Sequence, residues 1–387
     1  MGLPTGESPF RNLKVLSLYE FDMAAASYVS VVLSAGLSKI VIENCTPDAS
    51  RFIMGQLSYR SPNLREVDGD ALPPEASSIL LRFHTLEAFN CSDIMLTPPL
   101  LHHLAMLPKL DVVSASLSGT TSTIQLDPAT SFRSLTCLNL FSVTDYSALK
   151  RLLVSLNVEE LTAIDILMSF DPRPTDMEEL LNLVSRFTKL TVLRLRSDEA
   201  TPMPNVIHSI EPLHRLSELR WLELHGTRIG LTDADIPALG KAWPDIEYFA
   251  LRPNAALHSS PPGLTLAALP LFATHVPSLY NLATGLDATA PWPPSRPDAP
   301  PARSLGPMAL LLDASPVAEG TALDVAVYIS NVYPRAQRLN MYLLEPPGEY
   351  ADCWAEIMRM VPVISRARKE EWERAKLDSS RVPLICL

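Results

Sequence analysis

Cys45, Cys91 and Cys137 recur at intervals of 46 residues, a spacing that raises the question of a bound metal. A structural zinc needs donors that converge at tetrahedral distances. The three thiols fall at different places within the local pattern of the chain, so they are not expected to converge and no metal ligand is assigned. His102 and His103 adjoin in a helical stretch, where sequence neighbours point in different directions. They read as partly buried or solvated residues. Asp68-Gly69-Asp70 offers two carboxylates without the other oxygen ligands of a calcium loop, so it reads as a strand-end turn. Glu370 and Glu371, beside Arg366, Arg368 and Lys369, read as a solvated helix face. No phosphate loop, G-x-G-x-x-G, H-E-x-x-H or G-x-S-x-G occurs. The 14 glycines leave little material for phosphate-cradling loops. No catalytic residue and no cofactor is expected, and the chain reads as a non-enzyme.

Recognition chemistry stands elsewhere, at alternating positions. Val192/Arg194/Arg196, Trp221/Glu223/His225 and Tyr248/Ala250/Arg252 are three triplets with a period of two. In a strand, alternate side chains share one face. Trp, Tyr and Arg are the residues most enriched at binding hot spots. Arg194, Arg196, Trp221, Glu223, His225, Tyr248 and Arg252 are therefore the candidate partner-binding residues. The aromatic rings would be buried against the partner, and the arginines would pair with its carboxylates. The competing reading is that Trp221 and Tyr248 cover sheet surface beneath a C-terminal segment. Lys39/Val41/Glu43, Glu66/Asp68/Asp70 and Cys137/Asn139/Phe141 occupy the corresponding positions of earlier strands. The face is thus expected to be acidic towards its start and basic around Arg194, Arg196 and Arg252.

The elements that must hold these triplets follow from a recurring aliphatic skeleton, L-x-x-L-x-L. Its anchors are Leu13/Leu16/Leu18, Leu37/Ile40/Ile42, Leu86/Phe89, Leu135/Leu138/Leu140, Leu161/Ile164/Ile166, Leu190/Leu193/Leu195, Leu219/Leu222/Leu224, Ile246/Phe249/Leu251 and Leu339/Tyr342/Leu344. Weaker copies sit at Leu64/Val67, Leu110/Val113 and Leu279/Leu282. From Leu13 to Leu279 the first anchors are 22 to 33 residues apart. A short motif at a near-constant period marks a solenoid of stacked coils. Each short alternating segment predicts a strand, and the longer segment after it predicts a helix. The helices expected are Glu75 to Phe83, Thr97 to Leu107, Asp145 to Leu156, a helix from Asp176 capped by Thr175 or Asp176, Asp233 to Trp243 and Thr321 to Val332. Strand, helix, strand is the grammar of a parallel sheet.

The skeleton resembles the leucine-rich repeat family over roughly residues 10–350. The resemblance implies an α/β solenoid of about 12 irregular repeats, with a curved parallel sheet on the concave face and helices on the convex face. The family places Asn or Cys at the ninth position; here Phe21, Cys45, Ile94, Val143, Ser169, Asp198 and Thr227 stand there, and only Cys45 conforms. Long, uneven repeats of this kind are similar to those of fungal F-box-like proteins. That likeness implies a protein partner on the concave face, and the substrate-recognition part of a ubiquitin-ligase receptor. No F-box is recognisable. An adaptor or scaffold unrelated to ubiquitin ligases is the alternative. About twelve residues precede the first strand, so the expectation is a truncated gene model, a fragment or a protein that has lost its cap. A cullin-ligase adaptor would be a partner if an F-box is missing upstream.

Composition sets the remaining bounds. Hydrophobic residues make up 47% of the 387 and charged residues 19%, which suits a packed interior and excludes a disordered chain. A net charge of −11 argues against nucleic acid or an anionic membrane as the main partner, since both need basic surface. The five cysteines are odd in number and form no C-x-x-C, which reads as reduced thiols in a cytoplasmic or nuclear protein. No signal peptide and no uninterrupted apolar stretch of membrane-spanning length is visible. Residues 1–350 are read as the solenoid, with a Pro-rich insertion near 287–307. Residues 351–387 are read as a helical cap and tail, with one helix from Asp352 and a charged one from Ser365. Arg296, Pro297, Pro300 and Arg303 within the insertion read either as part of a disordered segment or as a P-x-x-P ligand.

Overall fold

The computed structural model describes residues 10, 12–70, 72–119, 121, 125–170, 172–197, 206–207, 209–225, 228–252, 262–292, 309–312, 315–333, 338–339 and 350–379. The chain forms two compact units, Met1–Thr201 and Pro202–Leu387.

Among the described residues the first unit holds eight strands: β1 (Val15–Tyr19), β2 (Lys39–Glu43), β3 (Glu66–Gly69), β4 (Ala88–Met95), β5 (Val112–Leu117), β6 (Cys137–Val143), β7 (Ala163–Met168) and β8 (Val192–Ser197). They pair in sequence order and all in parallel. Helices α1 (Met23–Val32), α2 (Pro47–Arg60), α3 (Ala76–Leu80), α4 (Pro98–Met106), α5 (Tyr146–Ser155) and α6 (Pro174–Val184) lie in the crossovers. One anchor position runs through the whole stack in register: Leu16, Ile40, Val67, Phe89, Val113, Leu138, Ile164 and Leu193. All but Leu16 are buried. Leu16 is half-buried because its strand has a neighbour on one side only. Burying such a side chain contributes about 1.5–3 kcal/mol, so this single row is a principal source of cohesion.

The backbone repeats as regularly as the anchors. The carbonyl just before each strand accepts two amides from the next coil. Lys14 takes Ser38 and Lys39, Ser38 takes Arg65 and Glu66, and the same holds at Arg65, Glu87, Asp111, Thr136 and Thr162. Every coil therefore fixes the entry of its successor, which is how uneven connections between strands still yield one register. Where a crossover begins with a helix, local capping sets the turn. Asp22 and Asp145 accept the amides of Ala25 and Ala148 at the starts of α1 and α5.

Among the described residues the second unit has five parallel strands in one row: β10 (Trp221–His225), β12 (Tyr248–Arg252), β13 (Asn281–Thr284), β14 (Ala309–Leu311) and β15 (Arg338–Leu339). A separate two-stranded pair is made by β9 (Val206–Ile207) and β11 (Arg228–Ile229). Its helices are α7 (Ile236–Ala242), α8 (Ala268–His275), α9 (Ala322–Val332) and α10 (Ala351–Ser379). Leu222, Phe249, Leu282 and Leu310 form the equivalent buried anchor row, and the backbone of Leu339 pairs in register with Leu310. In α10, Trp354, Ile357, Val361 and Ser365 are buried, and the helix packs against α9. Trp354 Nε1 donates to the Ser315 carbonyl at 2.7 Å. Arg368 donates to Ser330 Oγ at 3.0 Å and to Asn331, in the last turn of α9, where a cation also suits the helix dipole.

Five expectations are corrected. β14 has no counterpart in the sequence reading, because Ala309-Leu310-Leu311 is a continuous apolar run without the L-x-x-L-x-L period. It brings the repeat strands to eight in the first unit and five in the second. The C-terminal pair of helices is one helix of 29 residues running through Pro362. The burial of Val361 and Ser365, on either side of Pro362, holds it together despite the missing amide. The α6 N-cap is Arg173, neither Thr175 nor Asp176. Pro174 takes the first helical position, and the Asp176 carboxylate reaches back to the Arg173 amide at 3.1 Å. Finally, α3 is shorter than expected, and residues 233–235 form a turn of 3₁₀ helix ahead of α7. Tyr342 and Leu344, residues 253–261 and residues 293–308, with the P-x-x-P motif, lie outside the described residues.

Candidate functional site

One face of each sheet is covered by the crossover helices; the other, the open face, is half-exposed in parts and buried at Ser114, Ala250, Ala283 and Leu311. In β7, β8 and β10 the burial pattern alternates strictly, with anchors buried and the residues between them half-exposed. Arg194 and Arg196 lie on the open face of the first unit. Trp221, Glu223, His225, Tyr248 and Arg252 lie on that of the second.

In the first unit the middle row of the open face reads Asp68, Asn90, Ser114, Asn139, Asp165 and Arg194 across six neighbouring strands. Much of the row is bonded to itself. Ser114 Oγ donates to Asn90 Oδ1 at 2.9 Å, and Asn139 Nδ2 donates to Ser114 Oγ at 3.0 Å. Arg196 donates to Asp165 Oδ1 through Nη2 at 2.7 Å and Nε at 3.2 Å, and Arg194 reaches Asp165 Oδ2 at 3.4 Å. One carboxylate therefore orients both arginines. Asp165, Asn90 and Ser114 were not singled out as site residues from sequence. Their signal was the middle position of the triplet, which is incomplete in β4 and weak in β5; on β7, where Leu161, Ile164 and Ile166 are all present, it could have been read at Asp165.

The earlier strands are partly neutralised. Lys39 pairs with Glu66 at 2.9 Å, and that hydrogen bond pushes the Lys39 ammonium up from its ordinary range. Asp70 accepts the Asn44 amide at 3.0 Å, where Asn44 turns through a left-handed φ of 53°. Asp68-Gly69-Asp70 thus closes a strand end, as its sequence suggested.

In the second unit Trp221 and Tyr248 are register partners, as are Glu223 with Ala250 and His225 with Arg252. The Trp221 and Tyr248 rings are stacked, with centroids 3.7 Å apart and planes 5° from parallel. Ala250 departs from the expected exposure. It is buried together with Ala283 and Leu311, which continue its row on β13 and β14, and Tyr248 packs against this cluster. Tyr248 thus rests on a buried apolar row, with Trp221 stacked on it and Glu223, His225 and Arg252 on the same two strands.

The other titratable groups have structural surroundings. Burial pushes the thiols of Cys45, Cys91 and Cys137 up, which keeps them protonated and poorly nucleophilic. Burial lowers the His103 imidazole, whose Nε2 donates to the Phe83 carbonyl at 3.0 Å, while His102 is exposed. The densest ionisable cluster joins α5 to α6. Tyr146 Oη donates to Glu179 at 2.9 Å, and Lys150 reaches the other oxygen of Glu179 at 2.5 Å. Burial, then the hydrogen bond to Glu179, pushes the Tyr146 phenol far up, so it stays protonated and acts as a tie between helices. Among the described residues, no three His, Cys, Asp or Glu side chains stand together as a metal site.

Period, parallel strands and crossover helices define the class: an α/β solenoid of leucine-rich-repeat type. Solved structures similar to the chain include an internalin from Listeria monocytogenes, with 14% identity and a TM-score of 0.39 over 72% of this chain and 74% of the internalin. A leucine-rich-repeat protein of Leptospira interrogans is similar at 14% identity and a TM-score of 0.36, over 85% of this chain and 93% of that one. Likenesses of this size carry no argument about this chain. No family model matches the chain, and no curated protein matches it. Among the described residues no helix is long and apolar enough to cross a membrane.

Proposed function

We propose that the chain is a non-enzymatic protein-interaction module that takes a protein partner on its open sheet face. The observation that carries this reading is the stacked pair Trp221–Tyr248, set beside Glu223, His225 and Arg252 on neighbouring strands. Rigid aromatic side chains supply large contact area at low entropic cost, and charged neighbours supply orientation. Arg194 and Arg196, oriented by Asp165, offer donors for carboxylates on the first unit.

The finer reading is the substrate-recognition part of an F-box-like ubiquitin-ligase receptor working in the cytoplasm or nucleus. It is supported by the resemblance of the long, uneven repeats to that group. The alternative is a scaffold with no ligase link. Quantitative cross-linking capture with wild type, Trp221→Ala, Arg194→Ala and a helix-face control, Lys150→Ala, tests the site. Partners lost from the first two variants and kept by the control support it; an unchanged set sinks it. Co-precipitation with a cullin adaptor separates the two finer readings.

A further inference from the structure

We propose that a cleft along the strand-entry edge of the first unit binds an extended acidic segment of a protein partner, one with two carboxylates about six residues apart. The cleft has a volume of about 730 Å³, bounded by the loops entering β2, β3, β4 and β5 and by Lys14 ahead of β1. Ligand clefts span roughly 300–1,000 Å³, so the space suits a short peptide.

The floor of the cleft is already bonded. The carbonyls of Lys14, Ser38, Arg65 and Glu87 each accept two amides from the next coil. Ser38 Oγ donates to the Lys14 carbonyl and Thr85 Oγ1 to the Leu64 carbonyl. A ligand must therefore be read by side chains, and these are sorted by sign. Glu66 and Glu87 occupy the middle, each paired with a cation: Lys39 at 2.9 Å and Arg65 at 3.4 Å. Lys14 and Lys109 stand on the first and last of the bounding segments, and neither makes an ion pair among the described residues. In a chain of net charge −11, this leaves two exposed cations at the ends of one groove.

Spacing and sign select the occupant. From β1 to β5 is four strand spacings, about 19 Å, which an extended peptide covers in about six residues. A polyanion of uniform charge, such as nucleic acid or polyphosphate, would set negative groups against Glu66 and Glu87. A peptide with an acidic residue at each end and neutral polar residues between meets cations at both ends and no repulsion in the middle, where His84 adds a polar ring. This edge is distinct from the open face, and the inference does not depend on Trp221 or Tyr248.

The test is fluorescence anisotropy with the full chain and labelled synthetic peptides. The lead probe has two glutamates separated by five Ser/Gly residues. Its comparators have a two-residue spacer, lysines in place of the glutamates, or uniform charge (oligo-aspartate and a single-stranded oligonucleotide). The lead probe should bind tightest, and added salt should weaken it. The double variant K14E/K109E should weaken it at least about tenfold and each single variant less, since rim charges act singly and modestly. Both lysines are exposed, and circular dichroism would confirm that the variants are folded. The proposal is overturned if the double variant binds equally well, if the short-spaced or uniform probes bind as tightly, or if no peptide binds.

Discussion

The indole of Trp221 lies flat against the phenol ring of Tyr248, 3.7 Å between centroids, because the two residues are register partners on β10 and β12. Adjacent strands are about 4.8 Å apart, so flat rings at matching positions have room to stack and little room for anything between. The pair stands on the open face, beside a row in which Ala250, Ala283 and Leu311 are already buried. Aromatic pairs are worth about 0.5–1.5 kcal/mol beyond their burial. A double-mutant cycle of Trp221→Ala and Tyr248→Ala in urea should show coupling of that size. Strict additivity would mean the rings touch without stabilising each other.

Asp165 should govern both arginines of the first unit. Its carboxylate is 16% exposed, and the Arg194 and Arg196 side chains are 35% and 33% exposed. Asp165→Asn keeps the shape and removes the charge. A stability loss of about 1 kcal/mol is expected at low ionic strength, shrinking as salt screens the pairs. Matching denaturation midpoints for variant and wild type at low salt would refute this.

Gly240 lets α7 pack against the chain end of α8. A Cβ added there would lie 2.2 Å from the His275 carbonyl oxygen and 2.8 Å from its carbon. Neither atom is the end of a flexible side chain, so the helices must part. Gly240→Ala should cost about 1–3 kcal/mol despite the better helix propensity of Ala. A melting temperature equal to or above wild type would count against the tight packing of α7 on α8.

Acidification should weaken the fold before carboxylates titrate. Burial lowers the imidazoles of His103 and His214, with His214 set edge-on to the buried Trp243 at 5.5 Å. A group depressed in the folded state binds more protons when unfolded. Stability is therefore full above about pH 6.5 and falls as pH drops from there through the folded-state values. His214→Phe should flatten part of that decline in melting curves recorded from neutral to mildly acidic pH. An identical slope in the variant would remove His214 as a cause.

Trp354 ties α10 to the loop before α9 through its bond to the Ser315 carbonyl. Trp354→Phe keeps most of the apolar contact and leaves a buried acceptor short of a donor. The expected loss is about 1–3 kcal/mol. Hydrogen exchange along α10 should rise in the variant, and unchanged protection would show that the apolar stripe alone holds the helix.

The repeat could be read from the residues alone. Anchors such as Ile40, Leu138, Leu193 and Leu222 must be buried, their period of two within strands must divide each strand into two faces, and the length between them must return the chain in parallel. Those conclusions need only alternation and the hydrophobic effect. Hence the strand positions of Arg194, Arg196, Trp221 and Tyr248, on the face opposite the anchors, were legible in advance. What those residues touch follows from how the coils pack. That Asp165 holds both arginines, that Tyr248 packs on the buried row of Ala250, that α10 runs through Pro362, and that Lys14 and Lys109 border one cleft all depend on which coil lies beside which. Such contacts join residues roughly one repeat or more apart, and their geometry is fixed by register and packing rather than by any local preference. β14 shows the same division: its apolar run carries no period, and only pairing with β13 and β15 makes it a strand.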